Sequence, residues 1–298
     1  EEDKPRIALS TPSQLNFSMG SIISTVAFPA PKVPRSYYEQ SLLRRDDLLW
    51  LTTSANERIP AIYKRYGNNN YEHPRGGGEQ RRPTILYSHG NAEDIGLHLP
   101  FVDCLSEMTG CDVLSYEYVG YSLSRLNGDE PSEQGCIRSI DAAWRYLVDT
   151  ERVPPSYIII YGRSIGTGPS VDLASRKKVP KSNVSPQEAG GVFLQSPLES
   201  GARATLGYAV SCVGYPLDIF RNYEKIGKIQ APVAICHGMN DEVVPFDNGK
   251  ALHKKCKKPF EPYWMIGKGH NDMPERDVCK YARAFANSTV KNSSISKQ

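Results

Sequence analysis

Ser164 stands between two glycines in Gly162-Arg163-Ser164-Ile165-Gly166, directly after the apolar run Tyr157-Ile158-Ile159-Ile160-Tyr161 and before a stretch at 167–176 that can be helical. A strand, a sharp turn and a helix in that order force the central residue into a strained backbone conformation, and the flanking glycines remove side chains that would collide there. The Ser164 hydroxyl is then presented above the sheet. Backbone amides at the start of the helix, that of Ile165 above all, point at any negative charge developing beside it. The chemistry implied is nucleophilic attack on an acyl carbon, although the bare five-residue pattern also arises by accident.

A serine hydroxyl is a weak nucleophile at neutral pH, so it needs a base, and the base needs a carboxylate to orient it. The run 233–236 leads into His237-Gly238-Met239-Asn240-Asp241, and the run 262–266 leads into Gly267-Lys268-Gly269-His270. The chain order Ser164, Asp241, His270, each beyond the carboxyl end of a strand, is that of α/β hydrolases and differs from the orders in chymotrypsin and subtilisin. Asp241 has a plainer reading as the cap of a helix near Pro245, and Glu242 or Asp272 are other candidates for the acid. His270 alone among the six histidines follows the final strand; His89 and His237 read as braces of their loops, His73 and His253 lie in polar surroundings, and His98 lies in a helical region. Ser88-His89-Gly90-Asn91-Ala92 ends an earlier strand in small residues, so the Asn91 N–H is the expected second oxyanion donor, with Ala92 as its alternative. The competing reading is that Asn91 caps the next helix.

Positioning these groups requires a sheet. Dense apolar runs at 84–88, 112–118, 157–161, 191–195, 232–236 and 262–266 suit strands buried on both faces. Helix-compatible stretches lie between them, notably 133–150, where Ile137, Ile140, Ala143, Trp144 and Leu147 recur at threes and fours, and 274–286. Alternation of this kind predicts an α/β fold, a mostly parallel central sheet with helices on both faces. The segments 47–54 and 59–66 read as an opening antiparallel hairpin, and 68–83 as a polar surface loop. The expected organisation is an N-terminal extension over 1–46, an α/β-hydrolase domain over 47–290 with a small cap at 198–223, and a flexible tail over 291–298.

Composition excludes several other classes. The 298 residues are 39% apolar and 23% charged, with 17 Tyr, 8 Phe and 3 Trp, enough to fill an interior. Thirty-six basic against 33 acidic residues leave +3, too little to mark a nucleic-acid surface. Seven scattered Cys with no Cys-x-x-Cys indicate neither a disulfide framework nor a zinc site, so reduced thiols in a cytoplasmic setting are expected, with no metal and no cofactor. No apolar stretch approaches the ~20 residues of a transmembrane span.

Five longer strings carry a resemblance. They are Tyr87-Ser88-His89-Gly90-Asn91-Ala92-Glu93-Asp94, Tyr116-Glu117-Tyr118-Val119-Gly120-Tyr121, the run 161–176 around Ser164, Gln195-Ser196-Pro197-Leu198 and His270-Asn271-Asp272. Over roughly residues 20–285 the chain resembles the alpha/beta hydrolase domain-containing protein 17 group of depalmitoylating serine hydrolases. The resemblance implies a thioesterase that removes palmitate from protein cysteines, with Ser164, Asp241 and His270 as its triad. The partner would be an S-acylated protein or another acyl substrate, and the location cytoplasmic, peripheral to the cytosolic face of membranes. Related motifs also occur in lipid esterases and peptidases, and a catalytically silent binding module is the alternative from another class. Two departures stand out: the first Cys is Cys104, where family members acting at membranes carry an acylated N-terminal cysteine cluster, and Ser122 occupies a common glycine position.

Overall fold

The computed structural model describes residues 28–67, 82–205 and 218–295. The loop expected over 68–83 and the centre of the cap expected over 198–223 therefore lie largely outside the described residues. Among those described, one sheet is built from β1 (Leu48–Thr52), β2 (Arg58–Lys64), β3 (Thr84–Ser88), β4 (Asp112–Tyr116), β5 (Ile158–Arg163), β6 (Gly191–Gln195), β7 (Val233–Gly238) and β8 (Tyr263–Met265). The helices used below are α1 (Arg35–Gln40), α2 (Leu99–Thr109), α3 (Ser122–Leu126), α4 (Glu133–Arg145), α5 (Thr167–Ser175), α6 (Phe246–Lys255) and α7 (Glu275–Ile295).

The strand order is β1-β2-β4-β3-β5-β6-β7-β8. β1 and β2 form the expected antiparallel hairpin, Leu48 opposite Ile62 and Thr52 opposite Arg58, and β2 runs antiparallel to β4. Every pairing from β4 to β8 is parallel. β3 and β6 coincide with the apolar runs read from the sequence. β4 stops at Tyr116 rather than Tyr118 because the Glu117 carboxylate accepts the Tyr118 N–H at 2.8 Å and withdraws it from the ladder.

Side chains alternate between the two faces, as the pleat requires. Ile85, Tyr87, Val113, Ile159, Tyr161 and Phe193 pack with Val102 and Leu105 of α2 and with Val278, Ala282 and Phe285 of α7. Their neighbours Leu86, Leu114, Ile158, Ile160, Val192 and Leu194 pack on the other face with Ile140, Ala143 and Trp144 of α4, Val171 of α5 and Leu252 of α6. Helix α4 begins where the Ser132 hydroxyl accepts the Gly135 N–H at 3.0 Å, satisfying a donor that the first turn leaves free. The last helix runs to Ile295, so helix occupies 291–295, where the sequence suggested a flexible tail.

The stretch before β1 lies against this body. Tyr38 of α1 is buried and donates to Asp94 Oδ2 at 2.7 Å, while Phe28 meets Phe220 edge-on with centroids 6.0 Å apart. No helix among the described residues is long and apolar enough to cross a membrane.

Ser122, the departure from the family glycine, begins α3 with φ +48°. A side chain in the left-handed region costs about 1–2 kcal/mol, of which glycine recovers part after its larger unfolded-state entropy is counted. Ser122→Gly is therefore expected to raise stability by about 0.5–1 kcal/mol. Thermal unfolding checks this, and a lowered midpoint would contradict it.

Candidate active site

The position of the candidate nucleophile is built from backbone constraints. Ser164 is the first residue after β5 and has φ +53°. A Cβ on Gly162 would lie 2.5 Å from the Gly166 carbonyl oxygen, and one on Gly166 would lie 2.3 Å from the Ser88 oxygen and 2.6 Å from that of His89. Only glycine lets the elbow pass this close to the end of β3. The turn Ser164–Gly166 then feeds α5, where Thr167 Oγ1 donates to the Ser164 carbonyl at 2.6 Å.

His270 and Asp241 reach this point from the far end of the sheet. The Ser164 hydroxyl lies 3.0 Å from His270 Nε2, and His270 Nδ1 lies 2.8 Å from Asp241 Oδ2. The carboxylate requires the proton on Nδ1, which leaves Nε2 as the acceptor for the serine O–H. All three groups are buried, with exposures of 6–7%. Asp241 Oδ1 accepts the N–H groups of Val243 and Val244 at 3.0 and 2.8 Å. It thus closes its own turn and does not cap α6, whose N-cap is Pro245. The alternative acids point elsewhere: Glu242 is exposed, and Asp272 accepts the Gly269 N–H at 2.6 Å. Burial alone would raise the Asp241 carboxyl, but hydrogen bonds from His237, His270 and the Val244 amide hold it well below the usual carboxylate range.

The turn after β3 is braced from beneath. His89 Nε2 lies 2.8 Å from Glu117 Oε1, both side chains having no exposure, and the Tyr118 hydroxyl donates to the His89 carbonyl at 2.7 Å. Asn91 does not cap α2: its Oδ1 accepts the Tyr121 hydroxyl at 2.9 Å, and the N-cap of α2 is His98. Ala92, next in the turn, has φ +56°. The Asn91 and Ile165 amides thus lie on the two turns that meet where Gly166 touches the end of β3.

Sequence reasoning did not single out three further groups. Arg163 pairs with Glu93, whose other oxygen accepts the Gly90 N–H at 3.0 Å, and donates to Asn271 Oδ1 at 3.2 Å, so it ties the turn after β3 to the loop carrying His270. Glu117 and Glu93 are the others, while His237, read as a brace of its loop, does brace it at the Val244 carbonyl oxygen and in addition approaches Asp241 Oδ2 to 3.2 Å. A carboxylate inside an apolar run and a histidine four residues before the candidate acid were the available signals. A cleft of about 240 Å³ opens beside His270, lined by the apolar Leu97, Phe101 and Met273 and by the charged Glu93, Arg163 and Glu275.

His89, Glu93 and His98 bring one potential metal-ligand atom each within 4.8 Å of the others. Their atoms are largely committed: His89 to Gly90 O and Glu117, Glu93 to Gly90 N–H and Arg163, and His98 Nε2 to Ser115 Oγ. Burial, then the neighbouring His89, holds His98 protonation well below its ordinary range. The folded chain therefore refuses a proton that the unfolded chain takes up below about pH 6.5, so the contribution of this group to stability falls with a slope that approaches about 1.4 kcal/mol per pH unit on the acid side. His98→Gln is expected to flatten that slope between about pH 6.5 and 5, read as unfolding midpoints against pH.

A serine elbow after the central strand, with Asp and His loops behind two later parallel strands, defines an α/β hydrolase. Solved structures share the fold: Est1E from Butyrivibrio proteoclasticus superposes with a TM-score of 0.60 at 18% identity, covering 83% of this chain and all of that one. A Mycobacterium tuberculosis puromycin-hydrolyzing peptidase gives 0.60 at 17% identity, covering 87% of this chain and 41% of its own. No protein-family model matches the chain. Alpha/beta hydrolase domain-containing protein 17B of Xenopus tropicalis is 40% identical over 221 residues, 74% of this chain and 68% of that protein. The 17C protein of Mus musculus is 36% identical over 236 residues, 79% and 66% respectively. The chain belongs to the alpha/beta hydrolase domain-containing protein 17 family, and it spans about two thirds of the length of these relatives.

Proposed function

We propose that the chain is a serine hydrolase that cleaves acyl thioesters, removing palmitate from S-acylated protein cysteines. The observation that carries this reading is the hydrogen-bonded line from Ser164 through His270 to Asp241, set on a buried elbow. His270 Nε2 takes the hydroxyl proton as Ser164 Oγ bonds to the acyl carbon, and Asp241 balances the imidazolium charge. The oxyanion faces the Ile165 and Asn91 N–H groups. Collapse breaks the carbon–sulfur bond, and His270 passes its proton to the departing thiolate. Water, deprotonated by the same nitrogen, then attacks the acyl-enzyme; the fatty acid leaves and Ser164 regains its proton. The chemistry needs no cofactor. Substrate delivered on lipidated proteins fits a cytoplasmic enzyme acting peripherally at membranes.

The test is turnover of a palmitoyl-cysteine peptide by wild type beside Ser164→Ala, with a monoacylglycerol and an aminoacyl amide in parallel. Thioester turnover abolished by the substitution is expected. Preference for the glycerol ester or the amide would replace the thioesterase reading with that of a lipase or a peptidase. Failure on every acyl substrate would leave a silent binding module.

A further inference from the structure

The acid of the proposed triad is shared by two imidazoles. His237 lies in β7 with no exposure, four residues before Asp241. Its Nε2 is 2.9 Å from the Val244 carbonyl oxygen and 3.2 Å from Asp241 Oδ2, the same oxygen that faces His270. Its Nδ1 is buried and has no hydrogen-bond partner. With two acceptors before one nitrogen and none before the other, the proton belongs on Nε2, forked between the carboxylate and the carbonyl. Asp241 therefore has donors on both oxygens, the Val243 and Val244 amides on Oδ1 and the two histidines on Oδ2.

We propose that His237 is a positioning residue of this hydrolase: its Nε2–H fixes the plane of the Asp241 carboxylate, and through it the angle at which His270 addresses Ser164. The inference rests on the reading of Ser164 as nucleophile. Without His237 the one side-chain donor left on Oδ2 is His270 itself, so the carboxylate can swing about its last bond and the imidazole that donates to it turns with it. Held by His237 as well, it offers His270 one direction. The other charged groups near Asp241, Glu242 on its own turn and Lys268 and Asp272 on the neighbouring one, are more exposed, and Asp272 is committed to the Gly269 amide. His237 is thus the one further side chain bonded to Asp241 among the described residues. A remote contact sets the ring itself: a Cβ on Gly249 of α6 would lie 2.4 Å from His237 Nδ1.

The test compares His237→Leu with His237→Gln, whose amide nitrogen can occupy the place of Nε2, on a short acyl ester, with wild type and Ser164→Ala as references. His237→Leu is expected to lower kcat by about 10–100-fold with KM little changed, the size of effect that misdirection of a reacting group produces. His237→Gln is expected to return kcat to within about threefold of wild type. The proton NMR signal of the His270–Asp241 hydrogen bond should shift in the first variant and return in the second. Should His237→Leu fail to fold, Gly249→Ala supplies the same push from outside the site and should lower kcat while leaving KM unchanged.

A His237→Leu enzyme with wild-type kcat would overturn the proposal. So would a folded His237→Gln enzyme as impaired as the leucine variant, because the side chain would then matter only for packing. If wild type and Ser164→Ala turn the ester over equally, the nucleophile reading itself fails and takes this inference with it.

Discussion

Ser164→Ala is expected to lower kcat on an acyl ester by about a millionfold, and His270→Ala by a similar factor, with the double variant no worse than either. The non-additivity is the informative part. In the proposed mechanism His270 has no task without a hydroxyl to deprotonate, and the hydroxyl at 3.0 Å is inert without the imidazole. Asp241→Asn should cost less, about ten-thousandfold, because the amide leaves the loop in place yet presents the wrong partner to Nδ1. Labelling by a fluorophosphonate, which phosphonylates activated serines with loss of fluoride, should follow the same order. Additive losses in the double variant, or labelling that survives Ser164→Ala, would place the nucleophile elsewhere.

Which parts of this arrangement are visible in the sequence follows from what a residue type encodes. Strands buried on both faces read as unbroken apolar runs, so β3 and β6 appear in the sequence with their observed ends. The α/β fold with its mostly parallel sheet follows from the alternation of such runs with helical periodicity. The elbow is legible because Gly162 and Gly166 answer a steric demand made chiefly by backbone: a Cβ on either would lie within 2.3–2.5 Å of a carbonyl oxygen. Pairing is another matter. The sequence separates His270, beyond the final strand, from His237, at the end of an earlier one, but nothing in the run 233–241 says that His237 also turns onto Asp241. Partner choice there depends on the stacking of two loops, in which the Asn240 N–H meets the Lys268 carbonyl at 2.8 Å. Asn91 was ambiguous for a similar reason: only the fold brings the Tyr121 hydroxyl to its side chain and removes the capping role.

Glu117 gives the largest expected effect on stability. It looks out of place within an apolar run, yet its carboxylate, without exposure, accepts from three donors: His89 Nε2 at 2.8 Å, the Tyr118 N–H at 2.8 Å and the Ile95 N–H at 2.9 Å. Burial pushes its carboxyl above the ordinary range against the pull of His89, so the group is costly and persists through its bonds. Glu117→Ala leaves the imidazole and two amides buried without an acceptor, a loss of about 3–5 kcal/mol. For a domain of this size the thermal midpoint should fall by about 6–20 °C. Activity should fall beyond the folded fraction, because the carboxylate holds both ends of the turn that carries Asn91, at His89 and at Ile95. Glu117→Gln keeps one acceptor and the shape, so it should lie between the two. A Glu117→Ala protein that melts within about 2 °C of wild type would show that the pair contributes nothing net, as replacement of some buried ion pairs does. A stable variant with full kcat would further show that the turn after β3 is positioned by its contact with Gly166 alone.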